Sequence, residues 1–143
     1  MIKAILIDPF AIQVRFIKLP HPLVTDQWEC LNAMYAALSH GTCPVRTIEA
    51  VRLHAEDGVS NFLIVDGDGR VRDDPPARWF YLWHLHHETI AGKGLIIGAD
   101  DSGNERSTTL ALDEIEWRCR FFEVRLEANG THLVGTRQPW GQR

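Results

Sequence analysis

Three cysteines in 143 residues, Cys30, Cys43 and Cys119, are too few and too widely spaced for a disulfide framework. No CxxC pair occurs, so no zinc knuckle is suggested. The thiols read as free, buried and reduced. Basic residues are also scarce. Fifteen Lys and Arg face nineteen Asp and Glu, for a formal net charge of -4. A dedicated nucleic-acid binder normally carries a basic face, and this balance argues against one. No stretch approaches ~20 consecutive apolar residues, the length a spanning helix needs. The apolar opening "MIKAILIDPF" is too short for a signal h-region, and no cleavage-site pattern follows it. Repeats and low-complexity tracts are missing as well. These absences predict a cytoplasmic chain with no membrane partner.

What is present is enough for one core. A chain of this length buries roughly two-thirds of its unfolded surface, and 45% of its residues are hydrophobic. "KAILID" is a β-rich run that stops at Asp8 and Pro9. "AIQVRFIKL" then alternates, with Ile12, Val14 and Phe16 on one face and Gln13 and Arg15 on the other. Pro9 has no N–H for a ladder, so it belongs in the turn of a first hairpin. Residues 26–40 predict the principal helix. Asp26 and Glu29 have capping-box spacing, and Trp28, Leu31, Met34, Tyr35 and Leu38 recur at helical period. Gly41 suits the left-handed position after its end, and Pro44 forbids continuation.

Further on, "TIEAVRLHA" reads as a strand, and "NFLIVDGDGRVR" as a strand that turns at residues 66–69. "KGLIIGADDSGNERSTTLAL" is a strand, a turn at residues 100–104, and another strand. Residues 113–122 support two readings. As a strand, Ile115, Trp117, Cys119 and Phe121 point inward; as a helix, Leu112, Ile115, Cys119 and Phe122 share a face. "FEVRLEANGTHLVG" is a hairpin around Asn129 and Gly130. The sum is an α+β domain over residues 1–136: mostly antiparallel sheet packed on one principal helix, with a C-terminal hairpin and a tail at 137–143.

Several short motifs occur in one order: "MIKAILIDPF", "MYAAL" leading into "TIEAVRL", "VDGDG", "AGKGLIIGADDSGN" and "LDEI". In this the chain resembles a family of small proteins of unknown activity encoded by bacteriophages and mobile elements. Its members open with a MIKAIL-(D/N)-P strand and later carry GxGL-(I/V)-x-G before an acidic turn. The resemblance covers residues 1–115 or so and leaves the hairpin at 116–136 as an extension. It implies an origin on a mobile element and a bacterial host cytoplasm. It implies no cofactor and no catalytic residue. "WHLHHET", where relatives have a shorter polar stretch, and the end with Trp140 depart from the pattern.

Four chemistries compete. His84, His86, His87 and Glu88 fall within five positions and offer imidazole and carboxylate ligands to zinc or a similar ion. HExxH is missing and no partner motif is recognisable. "AGKG" around Lys93 precedes a strand, whereas a phosphate loop must precede a helix N-terminus. Asp66 and Asp68 fit the start of a calcium loop, but Arg70 stands at its fifth position, and a hairpin turn accounts for them. No serine or cysteine lies in a nucleophile context. Trp79, Trp83 and Trp117 are expected in the core or at its edge, and Trp28 on the buried helix face. The remaining candidates for binding are Arg118, Arg120 and Arg125 on the C-terminal strand and Trp140 in the tail. The expectation is a small non-enzymatic protein that binds a host protein or a small molecule, with counter-defence as the role its origin implies. The sequence leaves the oligomeric state open, with an edge-strand homodimer as one form it allows. A metal-dependent hydrolase using residues 84–88 and a nucleic-acid accessory protein are the rival readings.

Overall fold

The computed structural model describes residues 1–22, 27–41, 44–56, 58–69 and 77–136. The first two apolar runs pair as expected: β1 (Ile2–Asp8) and β2 (Gln13–Leu19) form an antiparallel hairpin from Ile2↔Leu19 to Asp8↔Gln13. Asp8 closes its turn, its Oδ1 accepting from the Phe10 and Ala11 N–H groups at 3.0 and 3.1 Å. There follow α1 (Gln27–Leu38), β3 (Ile48–Glu56), β4 (Val59–Asp66), β5 (Arg78–Leu82) and β6 (Ile90–Ala91). The chain goes on through β7 (Gly94–Ala99), β8 (Glu105–Arg106), α2 (Leu112–Arg118), β9 (Cys119–Glu127) and β10 (Gly130–Gly135). No helix among the described residues is long and apolar enough to cross a membrane.

Two sheets result, and all their pairings are antiparallel. The large one has the order β2-β1-β7-β4-β3, with β8 beside β7; the small one has the order β10-β9-β5-β6. Strand alternation divides the large sheet's side chains between two cores. Ala4, Leu6, Ile64, Leu95 and Ile97 meet Cys30, Met34 and Leu38 of α1. Ile5, Ile7, Leu63, Val65 and Ile96 face Phe80, Leu82, Ile115, Cys119 and Phe121 of the small sheet and α2. The molecule is therefore layered: helix, large sheet, small sheet with α2. A sheet buried on both faces needs apolar residues at consecutive positions, which explains "AILI" in β1 and "LII" in β7. Gly94 lets the layers meet closely, since a Cβ there would lie 2.5 Å from Phe80 Cζ.

Among the described residues the most deeply buried polar side chain is that of Asn61. Asn61 is fully buried on β4, on the same side as Leu63 and Val65. Its Oδ1 accepts from Thr108 Oγ1 at 2.6 Å and from the Thr109 N–H at 3.2 Å, and its Nδ2 donates to Thr109 Oγ1 at 2.7 Å. These bonds fasten the segment that leads into α2.

Four expectations need correction. Trp28, placed on the buried face of the helix, is 60% exposed. The buried stripe runs through Cys30, Met34 and Leu38 with Ala33 and Ala37 beside it, and Leu31 and Tyr35 only flank it. The small residues let α1 lie close to the sheet. Phe16 does not share the burial of Val14; it is exposed near the sheet edge, with Lys3 Nζ 4.5 Å above its ring. Residues 113–122 are neither all strand nor all helix. The helix ends at Arg118 and the strand begins at Cys119, so Trp117, expected inward on a strand, sits half-exposed on the last helical turn. The strand expected after residues 104 shrinks to the two residues of β8. Asp26, the expected helix cap, and the strand expected after residue 69 lie outside the described residues, as does Cys43. The C-terminal hairpin forms around Asn129 and Gly130, and β9 also pairs with β5, which makes it an inner strand of the small sheet.

Candidate functional site

The aromatic and histidine run 79–88 contains a strand and then a tight turn. Leu85 and His86 N–H groups both reach the Leu82 carbonyl, at 3.2 and 3.1 Å, and His84 adopts a φ of 61°. A left-handed residue is uncommon outside glycine and marks a turn held by its surroundings. Here the hold comes from the junction of α2 and β9. The Trp83 N–H donates to the Arg118 carbonyl at 2.9 Å, and Arg118 NH1 donates back to the Trp83 carbonyl at 3.1 Å. Arg118 is further anchored to Glu114 Oε1 at 3.1 Å.

This lock sets Trp83 beside Trp117. Their rings are 4.9 Å apart at 54°, and the two residues remain 42% and 39% exposed. Tyr81 pairs with Arg120 across β5 and β9 on the outer face of the small sheet. Together the four line an open pocket of about 630 Å³. Arg120 NH1 donates to the Trp117 and Cys119 carbonyls at 2.8 and 2.9 Å, which fixes the guanidinium at the pocket wall. No carboxylate among the described residues pairs with it. The outer face continues along the hairpin as Phe122, Val124 and Leu126, with Leu133 opposite Val124; Leu126 is 84% exposed.

The arginines named from sequence thus part company. Arg120 lines the pocket, whereas Arg118 is tied to Glu114 and the Trp83 carbonyl behind it. Arg125 alternates to the other face of β9, where it is paired with Glu123. Trp140 lies outside the described residues. The two indoles at the centre, expected in the core or at its edge, lie at the edge; the signal that separates them from core residues is the end of a strand at Leu82 and of a helix at Arg118, where the burial pattern stops.

The four metal-site candidates are not gathered into a ligand set. Among the described residues no group of three His, Cys, Asp or Glu side chains is placed to hold an ion. His84 packs edge-on against Trp83, 4.2 Å between rings. His87 and Glu88 approach each other at 4.0 Å on an exposed loop. With His86 they border a separate cleft of about 330 Å³, to which Glu49 and Asp66 of the large sheet also contribute. Glu49 was not singled out, and Asp66 was read only as part of a turn, because β3 and β4 are distant in sequence from the loop.

Lys93 of "AGKG" has a structural task. Its Nζ donates to the Ser39 carbonyl at 3.1 Å, just past the end of α1, and lies 3.8 Å from Asp8 Oδ2. A cation at a helix C-terminus complements the helix dipole. The 66–69 turn explains its own acids: Asp66 Oδ1 accepts the Asp68 N–H at 3.0 Å, and Asp68 Oδ2 accepts Thr47 Oγ1 at 3.1 Å. Cys30 and Cys119 are buried, and burial pushes both thiols up from their usual range, Cys119 far more strongly. A thiol held protonated is a poor nucleophile. Compared with family models, curated proteins and solved structures, the chain matches none.

Proposed function

We propose that this is a small, non-enzymatic binding protein whose working surface is the outer face of the small sheet around Tyr81, Trp83, Trp117 and Arg120. The phage or mobile-element origin that its N-terminal part resembles belongs to the same proposal, with a bacterial cytoplasm as its setting and counter-defence as its use. Its partner is a host protein or a small molecule. One observation carries the reading: two adjacent indoles, each about two-fifths exposed, beside an arginine with no carboxylate partner among the described residues. Trp, Tyr and Arg are the residues that dominate binding hot spots. A locked backbone beneath them lowers the ordering cost of binding. The hydrolase reading has no comparable support, since residues 84–88 do not converge on one point. The nucleic-acid reading loses Arg118 and Arg125 to carboxylates.

The test compares the immobilised chain with its Trp83→Ala, Trp117→Ala double variant in capture from bacterial lysate, with recovered proteins and small molecules identified. A component retained by the first and lost by the second, with both chains folded by circular dichroism, is the expected result. Equal retention by the two would remove this face from the reading. Ester or phosphodiester hydrolysis abolished by His84→Ala would replace it with the hydrolase.

A further inference from the structure

The side-chain polar groups around the pocket can all donate a hydrogen bond, and only the Tyr81 hydroxyl can also accept one. The Trp83 and Trp117 Nε1–H groups and the Tyr81 hydroxyl have no hydrogen-bond partner among the described residues. Arg120 uses NH1 on two carbonyls and leaves Nε and NH2 without an acceptor among the described residues. Four unfilled donor groups, one of them charged, favour an anion rich in acceptors. The apolar part of the wall is aromatic and favours a flat ring, through offset or edge contacts with the indoles. A volume of about 630 Å³ suits a small molecule. A cationic ligand is disfavoured twice. It would meet the Arg120 charge, and the Arg118 guanidinium already occupies the cation-π position, 5.6 Å from the Trp117 ring.

We infer that the pocket is a site for a small planar aromatic acid, its ring against Trp83 and Trp117 and its carboxylate, sulfonate or phosphate on Arg120. This rests on the binding reading above and names the chemistry of the ligand. Three probes separate ring from charge: a naphthalenesulfonate, the naphthyl trimethylammonium cation of the same ring, and cyclohexanesulfonate, with the charge but no aromatic ring. Isothermal titration of the full chain should show one site for the naphthalenesulfonate, with at least about tenfold weaker binding of the other two. Arg120→Gln should weaken it about tenfold or more, as loss of a charged hydrogen bond does, and Arg120→Lys should weaken it less. Trp117→Ala should cost about tenfold. Trp117→Phe retains a ring and serves if the alanine variant fails to fold. Preference for the cation, equal binding of cyclohexanesulfonate, or affinity unchanged by the Arg120 and Trp117 variants would each overturn the inference. Absence of binding by all three probes would also overturn it. The lysate capture would still decide the broader reading, so the two failures are distinguishable.

Discussion

At position 61 an asparagine takes a core place in line with Leu63 and Val65, and hydrogen bonds to Thr108 and Thr109 keep it there. Asn61→Leu strands the Thr108 hydroxyl and the Thr109 N–H, and each buried polar group left unpaired costs about 1–3 kcal/mol. A urea melt should therefore show a loss of at least ~2 kcal/mol, although the side chain is similar in size; a loss under ~0.5 kcal/mol would mean the network carries no stability. Asp100 is a second residue with a defined role. The N–H of Asn104 first, then that of Ser102 and the Arg106 guanidinium 2.7 Å away, hold its carboxyl below the usual range, against an opposing effect of desolvation. A depressed carboxylate contributes stability above its ordinary pKa, and that contribution disappears as pH falls through the lower, folded value. The difference in melting temperature between the native chain and Asp100→Asn should thus be present at neutral pH and close in acid. A gap that persisted or widened in acid would have the wrong sign.

Among the elements, α1 tests how well periodicity locates a buried face. Met34→Ala should cost about 2–5 kcal/mol, as truncation of a buried methionine does, whereas Trp28→Ala should stay within ~0.5 kcal/mol. Denaturant melts of the two variants settle the rotation of the helix; reversed magnitudes would put Trp28 back in the core. The helix itself was legible in its periodicity, yet its buried face was not. Large side chains dominate a hydrophobic pattern, and the true stripe includes Cys30, Ala33 and Ala37, whose small size allows contact but gives little signal. At residues 113–122 both periods fitted because both structures are there in succession, joined at Cys119. The first hairpin, β3, β4, β7 and the turns at 100–104 and 129–130 were legible because alternation and turn residues are local. The pocket was not. Arg118 and Arg120 stood out by charge, but nothing local shows that Tyr81 will face Arg120 across two strands or that Trp83 will meet Trp117.

The whole molecule stacks its layers on the large sheet, so β1, β7 and β4 are covered from both sides while the far end of the hairpin is exposed on both. Local opening follows burial of this kind. Hydrogen exchange should find the slowest amides at Ile5, Leu63, Leu95 and Ile96, and early exchange at Leu126 and Thr131. Uniform protection of the hairpin and the central strands would show instead that something covers the outer face. The contact between Trp83 and Trp117 has a consequence at the same scale. One indole belongs to the turn after β5 and the other to the last turn of α2, so they adjoin only when the small sheet and its helix are assembled. Two indoles 4.9 Å apart at 54° are coupled oscillators in a chiral arrangement. Their strong ultraviolet transitions mix and split into a pair of circular-dichroism bands of opposite sign. That couplet should vanish in either Trp83→Phe or Trp117→Phe with the backbone signal intact. It would fade on unfolding and shift when a ring slides between them, giving the protein an exciton signature of its own assembled state.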